Sequence, residues 1–187
     1  VRKSIRAWCE VMEAEALQFD WPVGGLRAAR GAEASKAAWC ALALYASGTV
    51  LGQRRWIETG ANVLGQFAAG QRSTGAFLVA APADNPETLW YHERVMLHAA
   101  ASYAAQANDP LVTAAVMQAA DFHARETQPD HATTQPWGLL AFVWRREARN
   151  LADGMLHALK LQQPSGPDAI SSMLLADCLY CLRLLAR

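Results

Sequence analysis

Proton transfer needs an imidazole or carboxyl group held among hydrogen-bonding partners, and this sequence concentrates such groups in two short stretches. The first runs from Asp84 to Glu93 and holds Asp84, Glu87, Tyr91, His92 and Glu93. The second runs from Gln128 to Trp137 and holds Asp130, His131, Gln135 and Trp137. His92 follows Leu89 by three residues and precedes Met96 by four. A helix therefore sets it on their apolar stripe, facing a core or a pocket. A partly buried imidazole or carboxyl group in that position has a pKa displaced by its surroundings, which suits acid–base work. In the second stretch an indole stands beside hydrogen-bonding side chains, the usual equipment for holding a sugar-like ring. These patterns make His92, Glu93, Asp130 and His131 the candidate acid, base or substrate-holding groups, and Asp84, Tyr91, Gln135 and Trp137 the candidate substrate-binding groups.

Each stretch also has a plainer reading. His92 could be a hydrogen-bonded core histidine beside acids that favour a helix start. The second stretch could be a loop shaped by turn-forming Asp and Thr, with Trp137 as a packing anchor. Other motifs carry less. Cys178-x-x-Cys181 has redox or zinc spacing, but Ile170, Leu174, Cys181 and Leu185 mark a helical apolar stripe and no second cysteine pair is present, so both thiols are expected in the core. Methionine stands at position 96, where a zinc-protease helix would need histidine. The run from Arg145 to Arg149 mixes charge signs and reads as a solvated helix face. No metal or cofactor is called for.

Composition bounds the partners. The 187 residues carry 17 basic and 17 acidic side chains, so no net field draws in nucleic acid or an anionic membrane. No apolar run approaches the ~20 residues of a membrane-spanning helix, and a soluble chain is expected. Four cysteines are too few for a disulfide scaffold and lean toward a reducing, cytoplasmic setting without fixing it. The length fits one domain over 1–187, or a piece of a longer chain. Oligomeric state is not legible.

The elements that must position these groups are helices. Asn85-Pro86, Asp109-Pro110 and Gln135-Pro136 each put proline where a first helical residue sits. Helices are expected at 2–19, about 33–46, 50–69, 86–106, 110–126, 136–163 and 168–186, with Gly48 ending the second and a break near Arg149 to Gly154 dividing the long sixth. The total is about eight, and no stretch alternates in polarity as a strand would. Their connections alternate: long at 20–32, 70–85, 127–135 and 164–168, short between. In an up-and-down array the long loops share one end. Parity thus brings His92, about 9 Å along its helix from Pro86 at 1.5 Å per residue, to the same end as the 127–137 loop, where one shared pocket is expected.

Long loops at one end, short turns at the other, and runs such as Ser73-Thr-Gly-Ala-Phe77 followed by Trp90-Tyr-His-Glu93 resemble the helical-hairpin units of the (α/α) toroid proteins, a group that includes six-hairpin glycosidases. The resemblance implies an all-α fold of about eight antiparallel helices in hairpins, toroid-like or an open arc, since a closed six-hairpin barrel has about twelve helices. It implies a carbohydrate-like or small polar ligand at the long-loop end. The alternative is a noncatalytic helical-repeat module that holds a protein or peptide.

Overall fold

The computed structural model describes residues 2–19, 26–27, 30–81, 84–127, 135–162 and 166–186. Eight α-helices account for most of them: α1 (Arg2–Leu17), α2 (Gly31–Leu51), α3 (Arg54–Ala69), α4 (Pro86–Ala107), α5 (Pro110–Glu126), α6 (Leu139–Trp144), α7 (Arg149–Gln162) and α8 (Ala169–Leu185). Two proline signals mark helix starts. The side chains of Asn85 and Asp109 each accept two backbone N–H groups of the first turn, and Pro86 and Pro110 follow them. Gln135-Pro136 behaves differently: Gly138, at φ 76°, opens α6 and the helix starts at Leu139. Glutamine offers no short side chain to cap the turn, so proline alone does not set the start.

Glycine punctuation also departs from expectation. Gly48 lies inside α2, which runs on to Gly52 at φ 65°. A Cβ on Gly48 would come within 2.8 Å of the Ile57 backbone nitrogen. This glycine serves close helix contact, and Gly52 supplies the left-handed turn that ends the helix. The break in the long 136–163 pattern comes early, at a 3-10 turn over Arg146–Ala148, while Gly154 lies within α7. The reason is tertiary. Arg145 leaves helical geometry and makes two hydrogen bonds to the Asp121 carboxylate of α5, at 2.8 and 3.1 Å, and Ala148 is buried beside it. The basic run is thus partly anchored and not simply a solvated face.

The core sits around α4. Every residue from Glu93 to Ala105 is buried, as expected only for a helix surrounded by others. α2, α3, α5, α6 and α8 pack on it, and one apolar cluster extends from Cys9 of α1 to Cys181 of α8. Two-residue strands, absent from the sequence reading, join the first two long connections: β1 (Leu26–Arg27) pairs in parallel with β2 (Leu78–Val79). Pairs this short carry no alternation to detect. Among the described residues no helix is long and apolar enough to cross a membrane.

Candidate functional site

α2 presents Gly31, Ser35 and Trp39 at four-residue spacing, one above another on a single face. That face meets the first four turns of α4. A Cβ on Gly31 would lie 3.1 Å from His92 Cδ2, so the absence of a side chain lets the imidazole lie against the helix. One turn on, Ser35 Oγ and His92 Nδ1 are 2.9 Å apart. Trp39 then packs against His98 and Trp137, with ring centroids at 5.7 and 5.3 Å.

The segment entering α6 completes the cluster. Trp137 stands edge-on to Tyr91 at 6.4 Å and to His98 at 5.5 Å. Val95 and Leu174 pack beside it. Its indole Nε1 donates to Gln135 Oε1 at 3.1 Å. Tyr91 also meets the His92 ring at 5.2 Å. Tyr91 therefore bridges His92 on one side and Trp137 on the other. Tyr91, His92 and Gln135 are half-buried, while Trp137 is only 7% exposed and serves more as the wall than as an open stacking face.

His92 is neutral near pH 7, because burial lowers its pKa. Its neighbour Glu93 is turned the other way. It is buried, and its carboxylate accepts the Phe77 N–H at 2.9 and 3.1 Å and the Leu78 N–H at 2.7 Å. Burial raises its pKa to about 7, against the opposing pull of those N–H groups and the Arg72 charge. Glu93 thus fastens β2 to α4 and does not open toward the aromatic cluster. Asp84 likewise closes its own turn, accepting from Ala81 N at 2.5 Å. Asp130 and His131 lie outside the described residues.

Deeper along α4 is a polar core that the sequence reading missed. His98 Nε2 is 3.3 Å from Asp177 Oδ2 of α8, at ion-pair distance but not in hydrogen-bond alignment. Ser102 also donates to that oxygen. Burial acts to raise the Asp177 pKa, but His98 and Ser102 outweigh it and hold the carboxyl below its usual value. Ser, His and Asp are all present, yet the serine binds the aspartate and not the imidazole. No nucleophile is activated by this arrangement. His123 of α5 is fully buried and kept neutral, its pKa pushed down to about 3 by burial and then by the Arg94 charge. Cys178 and Cys181 are buried free thiols with pKa values raised by burial to about 11 and 12. Among the described residues no group of His, Cys, Asp and Glu could hold a metal ion.

Of the candidates, the structure brings together Tyr91, His92, Gln135 and Trp137, and it adds Ser35 and Trp39. The only sequence signal for the additions was the Gly31, Ser35, Trp39 spacing in an alanine-rich helix. Comparison with known protein families, characterised proteins and solved structures finds no match to this chain.

Proposed function

We propose that the long-loop end binds a small, ring-bearing polar molecule of the carbohydrate type, in a helical array whose hairpins form an open (α/α) arc. The observation that carries this reading is Tyr91, whose ring touches both His92 and Trp137. It thereby joins a neutral imidazole, an amide and an aromatic wall in one half-buried patch. Sugar rings are held by such combinations, with C–H faces on aromatic carbon and hydroxyls on polar side chains. The pairing of β1 with β2 supports a shared end for the first two long connections. In this reading Glu93 secures the loop that borders the site, and catalysis is left to whatever groups accompany His92.

The test is proton–nitrogen NMR of the wild-type protein titrated with methyl glucoside, cellobiose and chitobiose. Shifts concentrated at Tyr91, His92 and Gln135, and lost in Tyr91→Ala, are expected. Shifts confined to other helices, or none with any sugar, would overturn the reading.

A second reading, a noncatalytic module for a protein or peptide, draws on other residues. Trp8 of α1 is 68% exposed, and Leu179 and Tyr180 of α8 are 60% and 53% exposed. This reading rests on their joining into one apolar patch of the size that marks a docking site. Sugar titration separates the two readings, because only the first involves Tyr91.

A further inference from the structure

We propose that Ser35 fixes His92 as its Nδ1–H tautomer, so that the site offers the Nε2 lone pair to a hydroxyl of a neutral polyol and disfavours an anion. The ligand half of this statement rests on the binding role proposed above. The tautomer half stands on geometry alone.

A serine hydroxyl carries one hydrogen. Ser35 Oγ lies 3.1 Å from the Ala32 carbonyl oxygen and 2.9 Å from His92 Nδ1. A carbonyl can only accept, so the Ala32 contact is a hydrogen bond only if Ser35 donates to it. This back-bond to the preceding turn is the usual habit of serine inside a helix. The Ser35 oxygen then accepts, and the hydrogen between it and His92 must sit on Nδ1. In the opposite arrangement Ser35 would donate to Nδ1, and two acceptors would face each other at Ala32. One tautomer therefore satisfies both contacts, and the other satisfies one.

The ring's orientation is fixed from two sides. Ser35 holds the Nδ1 edge, and Gly31 leaves room for the Cδ2 edge, the carbon bonded to Nε2. Tyr91 borders the same ring. With Nε2 bare, the ring accepts a hydrogen bond from a hydroxyl and repels a carboxylate or phosphate oxygen. Ser35 is a positioning residue in this scheme.

Long-range proton–nitrogen correlation spectra of uniformly labelled wild-type protein at pH ~8, where the ring is neutral, decide the tautomer. A protonated-type Nδ1 signal and a bare-type Nε2 signal for His92 are expected. In Ser35→Ala the ring should revert toward the Nε2–H form that free histidine prefers, and Ser35→Thr should restore Nδ1–H. A wild-type His92 protonated at Nε2 overturns the proposal, whether or not either variant folds. For the ligand half, methyl glucoside should bind wild-type protein about tenfold more tightly than glucuronate, the effect of roughly one mismatched hydrogen bond. Equal or tighter glucuronate binding overturns that half. No shift with either sugar overturns the proposed function while leaving the tautomer result standing.

Discussion

Replacing Glu93 by glutamine should change the shape of the pH–stability curve, and the sign of the change tests whether burial or hydrogen bonding governs this carboxyl. Its pKa rises from 4.5 to about 7 on folding. A raised carboxyl pKa means that the folded state keeps a proton which the unfolded chain releases. The associated stability is complete below pH 4.5 and is lost as pH rises through about 7. The full displacement corresponds to about 3 kcal/mol. His123 works in the opposite sense, with its pKa lowered from 6.5 to about 3. The unfolded chain binds the proton that folded His123 refuses, so its contribution is present above pH 6.5 and is lost as pH falls. Between pH 4.5 and 6.5 the two slopes, each about 1.4 kcal/mol per pH unit, oppose one another. From these two groups alone the wild-type curve is flat there. Glu93→Gln keeps an oxygen acceptor for Phe77 and Leu78 but removes the titration, and its stability should climb by about 3 kcal/mol more than that of wild type across the window. Urea unfolding followed by far-ultraviolet circular dichroism from pH ~4 to ~8 measures both curves. The lowered pKa values of His92 and Asp177 act on both proteins alike and drop out of the difference. Parallel curves would refute the reasoning, and a variant curve that climbs less than wild type would mean the three N–H bonds overcome burial.

Two glycines of α3 should respond oppositely to alanine. At Gly60 a Cβ would lie 2.5 Å from the Ala41 carbonyl oxygen and 2.9 Å from the Tyr45 nitrogen, both backbone atoms of α2. Gly60→Ala should destabilise by about 3 kcal/mol or more. At Gly65 nothing lies within 4 Å, and Gly65→Ala should stabilise by about 0.5 to 1 kcal/mol through helix propensity. Thermal melts of the two variants check the pair, and similar effects would contradict the proposed α2–α3 contact. Cys178 and Cys181, buried with pKa values near 11 and 12, should resist an aromatic disulfide reagent at pH ~8 until the protein is unfolded. Rapid labelling of both in the native state would refute their placement.

The parts of the fold legible in the sequence were those with local causes. Asn85 and Asp109 cap their own helices, and a cap is read from neighbouring residues alone. What failed depended on partners distant in the chain. Gly48 reads as a stop until α3 is seen pressing on it, and the turn after Trp144 needs Asp121 to explain it. Within the site, His92 and Trp137 carried compositional signals, but Ser35 is an ordinary residue whose importance comes from a ring 57 positions away. Glu93 shows the limit most clearly. Its type fits acid–base work, and only its burial on the Phe77 and Leu78 amides gives it a fastening role.

The distances along the chain between polar partners also order the events of folding. Glu93 meets its amides 15 and 16 residues upstream, so β2 and the start of α4 can assemble as a nearly local unit with little loop-closure entropy to overcome. Ser102 must wait for Asp177, 75 residues further on, and His98 waits for the same carboxylate. Until α8 docks, Ser102 and His98 lack their carboxylate partner. Docking of α8 should therefore be a late, separable step, and amide exchange in α8 should open at lower free energy than exchange in the stretch from Phe77 to Leu97.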